Sequence, residues 1–169
     1  MTAGARATYD IVPNAASDAK FSGEVFVRAF FSPNLAAEVS VGRRTSSFYE
    51  FGGRHSEGYS LDQYPIFLGA SYLFSPKAVF RPLLAGGVVI APSSYSGSSY
   101  LYPNPTEYTS GNATAVLPWL GMGFSIYVPS SWVILDAGVR YVFGRDATVA
   151  SDSPYQAYAR IQLGIGCRF

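Results

Sequence analysis

The chain has 169 residues, enough for one closed β-barrel or sandwich, and is expected to form a single domain over 1–169. It is 49% hydrophobic, yet only 14% is charged, with a net charge of +1, against roughly 25% charged residues in ordinary soluble domains. Charge is balanced and only two lysines, Lys20 and Lys77, are present, so a basic nucleic-acid patch has little support, and one Cys and one His leave metal or cofactor binding little to work with.

No apolar run approaches the roughly 18 residues of a membrane-crossing helix. The opening MTAGARATYD has neither a basic nor an apolar segment, so no secretory signal is expected within this chain. What the sequence has instead is alternation, the period-two signature of strands with two different faces. A first strand is expected over about 4–13, with Ala5, Ala7, Tyr9 and Ile11 on one face. A second runs over 21–31, placing Phe21, Val25, Val27, Ala29 and Phe31 against Ser22, Glu24, Phe26, Arg28 and Phe30. After a tight SPN turn the third covers about 35–48, and the fourth, LDQYPIFLGASYLF, follows a Gly-rich loop.

Beyond a tight SPK turn, VFRPLLAGGVVIAP makes the fifth strand. A Ser/Tyr/Gly loop is then expected over 93–112, before a sixth strand that runs to Val128. PSS turns into the seventh, with Val133, Leu135, Ala137, Val139, Tyr141 and Phe143 opposite Asp136, Gly138 and Arg140. The eighth, YQAYARIQLGIGCRF, sets Tyr155, Ala157, Ala159, Ile161, Leu163, Ile165, Cys167 and Phe169 against a polar or small set. Short connections alternate with longer ones near 14–20, 50–60, 93–112 and 146–154. An even strand number, short and long connections in alternation and an apolar residue at every second position define a transmembrane barrel. The fold class read from this is all-β: an eight-stranded antiparallel up-and-down transmembrane β-barrel with short periplasmic turns and longer extracellular loops.

A soluble barrel also alternates, with its apolar face inward. Its water-facing set would then hold Phe26, Phe30, Phe67, Leu83, Trp119, Tyr127 and Trp132 with almost no lysine, which is a poor soluble surface. As a lumen the same set is sensible, because glycine and alanine leave room that aromatic rings fill. Arg6, Asp10, Glu24, Arg28, Glu38, Arg44, Arg81, Asp136, Arg140 and Arg160 all fall on that face. Charges buried in a narrow lumen persist when paired, so these are expected to form an arginine–carboxylate network plugging it. Aromatics at strand ends, Phe31, Phe74, Tyr127 and Phe169 at one side and Tyr9, Phe48, Tyr64, Tyr141, Phe143 and Tyr155 at the other, read as interfacial girdles.

No catalytic residue is expected. RHSEGYS offers His55, Ser56, Glu57 and Ser60, but in an extended segment His55 and Ser56 point to opposite sides and no base is poised to activate a serine. Tyr95, Tyr100, Tyr102 and Tyr108, set among Ser, Gly and Asn, form a candidate recognition surface for an extracellular partner, with rigid amphipathic rings among adaptable polar groups.

YPIFLGASYLFSPKAVFRPLLAGGVV and SDAKFSGEVFVRAFFSPNLAAEVSVG resemble hairpins of the small eight-stranded outer-membrane barrels of Gram-negative bacteria, including OmpW-like, OmpX-like and opacity-type surface proteins. QLGIGCRF resembles their C-terminal assembly signal at Gln162, Gly164, Cys167 and Phe169. The resemblance implies an outer-membrane location, contact with outer-membrane lipid and lipopolysaccharide, insertion by the barrel assembly machinery and a monomer. It implies no cofactor. A surface or structural role follows, with a narrow channel for small hydrophobic molecules as the alternative and a lipid-modifying enzyme behind both.

Overall fold

The computed structural model describes residues 1–11, 21–52, 55–101, 107–144 and 157–169. Ten strands are present: β1 (Thr2–Ile11), β2 (Phe21–Phe30), β3 (Leu35–Gly42), β4 (Arg44–Gly52), β5 (His55–Gln63), β6 (Ile66–Leu73), β7 (Phe80–Leu101), β8 (Glu107–Tyr127), β9 (Val133–Val142) and β10 (Tyr158–Arg168). Two pairs are halves of one barrel strand. Arg43 separates β3 from β4, and Tyr64 with Pro65, which has no N–H to give a ladder, separates β5 from β6. Both breaks are bridged laterally: Gly42 N–H donates to Pro65 O at 3.1 Å and Tyr64 N–H to Pro92 O at 3.0 Å.

All pairings are antiparallel, in the order β4-β5-β7-β6-β3-β2-β1-β10-β9-β8, and a β7–β8 pairing closes the ring into an eight-stranded barrel. Closure removes every edge within the ring, so each backbone group finds its partner without water. Three tight turns join strands at one end. In the first, Asn34 Nδ2 donates to Leu73 O at 2.8 Å and Leu73 N–H returns to Asn34 O at 2.7 Å. In the other two, Ser75 and Ser130 take positive φ of 52° and 58°.

The outward set is a continuous apolar belt that includes Val25, Val27, Val39, Val41, Leu68, Leu84, Val88, Val116, Leu120, Leu135, Val139, Ile161, Leu163 and Ile165, all exposed. On β7 it runs from Phe80 to Ile90 and gives way to hydroxyls at Ser94, which for a tilted strand is about the 25 Å height of an outer-membrane barrel's lipid band. So large an apolar surface is stable only against hydrocarbon.

Two expected loops are strand instead. Within 50–60, residues 50–52 belong to β4 and 55–60 to β5, and most of 93–112 belongs to β7 and β8, paired continuously from Phe80–Ile126 to Ser99–Glu107. Ser, Gly and Tyr read as loop by composition, but the ladder below fixes the register and each added residue extends it at little cost. Beyond the belt, β4, β5, β7 and β8 therefore continue as one four-stranded sheet. The other two long connections, 14–20 and 146–154, lie wholly outside the described residues.

Candidate functional site

The lumen is built from residues that already face each other in the ladders. Arg6 stands opposite Glu24 on β1 and β2, Arg28 opposite Glu38 on β2 and β3, and Asp10 opposite Arg160 on β1 and β10. Arg6 Nη1 donates to Glu24 Oε1 at 3.1 Å and to Glu38 Oε1 at 2.7 Å. Arg28 grips Glu38 Oε2 through Nε at 2.9 Å and Nη2 at 2.8 Å. From the far wall, Arg140 reaches Glu24 at 3.0 Å, Ser40 at 3.1 Å and the Glu38 carboxylate. Asp136 accepts from Ser125 and lies 3.6 Å from both Arg6 and Arg28.

Five buried arginines, Arg6, Arg28, Arg44, Arg140 and Arg160, thus share four buried carboxylates, Asp10, Glu24, Glu38 and Asp136. Arg44 is the one left over. Its Nη1 donates to Gln63 Oε1 at 2.6 Å and its guanidinium lies 4.2 Å from the Tyr158 ring centroid, but Asp10 is 3.7 Å from Nε and already held by Arg160. Its Nε and Nη2 find no acceptor among the described residues.

Rings cover the remaining guanidinium faces. Arg6 lies 3.8 Å over Phe26, and Arg140 is 4.8 Å from Phe67 and 4.9 Å from Trp119. An apolar cluster of Phe67, Val89, Ala91, Ala115, Trp119, Val142 and Tyr158 fills the rest of the outer half of the lumen. Chemically this arrangement holds strands together and fills the lumen with paired charge and packed rings. Composition alone did not single out Ser40, Gln63, Ser125 or Tyr158 as members, although all four share the inward parity.

Three expected placements differ. Arg81 is on the inward face but stays out of the network: at the strand's end it lies at the short-turn mouth, its guanidinium 3.5 Å from the Tyr127 ring and its Nε on Ala78 O at 2.8 Å. Tyr127 is buried beneath it rather than standing in a girdle, and Trp132, in the turn before β9, is exposed. Arg81 and Tyr127 keep their inward parity at the strand ends, whereas at Trp132 parity fails because strand geometry has ended.

In the C-terminal strand, Gln162 faces the lumen, Gly164 lies beside Arg6, Cys167 is half-buried and Phe169 is exposed. His55, Ser56, Glu57 and Ser60 lie in strand β5, not a loop. The four tyrosines divide. Tyr95 turns to the inner face, its hydroxyl 2.5 Å from where a Cβ on Gly111 would be. Tyr108 is 83% exposed on the outer face, Tyr100 is in β7, and Tyr102 lies outside the described residues.

No family model and no curated protein matches the sequence. Among solved structures, the chain resembles Neisserial surface protein A over 99% of its own length and 95% of that chain, with a TM-score of 0.58 and 19% identity. The fold is that of the small outer-membrane barrels. The N-terminal barrel domain of Pseudomonas aeruginosa OprF covers 99% of this chain and 97% of that one (TM-score 0.53, 15% identity). Yersinia pestis Ail, crystallised with a heparin analogue, sucrose octasulfate, covers 99% and 95% (TM-score 0.52, 12% identity). With the exposed apolar belt, this fold makes the chain an outer-membrane barrel protein.

Proposed function

We propose that this barrel is a non-enzymatic surface protein: a plugged, membrane-anchored platform that carries the β4–β5–β7–β8 sheet outside the cell. The observation that carries the reading is the lumen, where five arginines, four carboxylates and an apolar cluster occupy the interior with side chains almost wholly buried. An eight-stranded ring is just wide enough for such a filling. Surrounding lipid and lipopolysaccharide are its partners along the belt, the C-terminal Gln162, Gly164, Cys167 and Phe169 serve the assembly machinery, and the barrel acts as a monomer.

Planar-bilayer recording tests the plug. The folded protein is expected to give no conductance steps at moderate voltage, and the variant Arg140→Ala with Arg160→Ala is expected to give them. Regular ohmic steps from the unaltered protein would overturn the plugged-platform reading in favour of a channel.

A further inference from the structure

Above the belt, the outward face of the extended sheet repeats one chemistry in register. Ser47, Ser60, Ser96 and Ser110 stand opposite one another across β4, β5, β7 and β8. The row beneath is Thr45, Asp62, Ser94 and Asn112, and a row above passes through Gly58, Ser98 and Tyr108. Ser60, Ser94, Ser96, Ser110 and Asn112 are exposed, and Tyr108 offers its ring to solvent at the outer corner. A shallow depression lined by Tyr64, Pro92, Ser94, Asn112 and Thr114 lies at the base of the array.

We propose that this face binds the neutral saccharide chain of the surrounding outer-leaflet lipopolysaccharide. Three features of the face select that occupant. Hydroxyl and amide groups recur about every 4.8 Å across strands and about 6.8 Å along them, a grid of short donors and acceptors suited to a polyhydroxylated chain, with an exposed aromatic ring for the apolar face of a sugar. Among the described side chains the face is electrically neutral: its formal charges are Arg43 and Asp62, joined through Nε at 3.0 Å and Nη2 at 2.7 Å. A phosphate or sulfated polymer would find no free cation among these described side chains. Finally, the array is continuous with the lipid-facing side of β7 and β8 and points sideways, so what stands on the neighbouring lipids rises along it.

This inference rests on the surface-platform reading, and the test separates the two. In a Cys167→Ala background, Ser96→Cys is first labelled with a membrane-impermeant maleimide on intact cells whose lipopolysaccharide is trimmed to its lipid anchor, so that no saccharide shields the thiol. Absence of labelling would overturn the platform reading itself, and the inference with it. The labelled, purified protein is then placed in nanodiscs of phospholipid alone, of lipopolysaccharide trimmed to its lipid anchor, or of lipopolysaccharide with a neutral saccharide repeat, and quenching by a soluble quencher is measured. Quenching is expected to fall several-fold only with the full saccharide, to be insensitive to salt, and to recover when Tyr108→Ala or Asn112→Ala is added. An equal fall with the trimmed lipid would mean recognition of the anchor. A fall that survives both substitutions would mean crowding. Either result overturns saccharide binding while leaving the platform intact.

Discussion

Arg160 and Asp10 are direct register partners across the β1–β10 seam, and two guanidinium nitrogens of Arg160, Nε and Nη2, each lie 2.7 Å from an Asp10 carboxylate oxygen. This fork joins the first and last strands of the barrel, and Arg160 Nη1 extends it to Glu24 at 3.2 Å. Removing one partner of a buried pair strands the other charge. Arg160→Ala is therefore expected to destabilise the barrel by about 3–5 kcal/mol, read from urea unfolding in lipid vesicles and from a lower temperature at which the heat-dependent gel-mobility shift occurs. Arg43→Ala, which breaks an exposed pair, is expected to change neither measurably; equal losses from both would refute the assignment of Arg160 to the lumen.

Arg44 should behave differently from the other four lumen arginines. Among the described residues its nearest carboxylate, Asp10 at 3.7 Å, is already forked by Arg160, so replacing Arg44 strands no anion there, while its burial carries the full desolvation cost of a cation. Arg44→Met, which keeps an apolar stem beside Tyr158, is expected to cost less than Arg160→Met in the same unfolding assay, or to stabilise. A loss as large as that of Arg160→Met would show that the charge balance of the network is misjudged.

How much of this was legible in the sequence depended on where strand geometry holds. Within the belt the period of two is unbroken, so Leu163, Val139 and Leu84 were placed outward and Arg6, Glu24 and Arg140 inward from parity alone. Parity says nothing about depth, and so Arg81 was read into the network although it sits at the mouth. It also lapses in turns, which is why Trp132 was misplaced. The outer sheet is hidden because its many Ser and Gly residues carry weak strand preference and outweigh the tyrosines among them; its pairing is inherited from the ladder beneath. Nor does parity show that Ser47, Ser60, Ser96 and Ser110 form one row, since register across strands depends on where each turn falls.

Leu163 tests the belt directly. It is 62% exposed, lies mid-strand on β10 opposite Ala7, and has apolar neighbours Ile161 and Ile165 on the same face. Leu163→Arg is expected to destabilise by roughly 2–4 kcal/mol in bilayers, the cost of a cation near the midplane. Ser96→Arg, on the outer sheet, is expected to have no measurable effect in the same vesicles. An unchanged folding free energy for Leu163→Arg would place that face in water.

Gly69, Gly87 and Trp119 stand in one row across β6, β7 and β8, and the missing side chains make the slot in which the indole lies. A Cβ on Gly69 would come within 2.5 Å of Trp119 Cζ2 and 2.6 Å of Gly86 O, whereas the three atoms nearest to one on Gly87 are all backbone, led by Leu68 O at 2.0 Å and Gly69 Cα at 2.6 Å. Both Gly→Ala substitutions overpack the wall, at about 1–3 kcal/mol each. Their coupling to the ring should differ. In a Trp119→Ala background the cost of Gly69→Ala is expected to shrink, since the side-chain part of its clash is gone, with an interaction energy of about 0.5–3 kcal/mol. The cost of Gly87→Ala is expected to persist, because strand backbone cannot move aside without breaking the ladder. Equal coupling of both glycines to Trp119 would mean that the wall shifts as a unit, and that the ring rather than the glycine row sets the spacing of these strands.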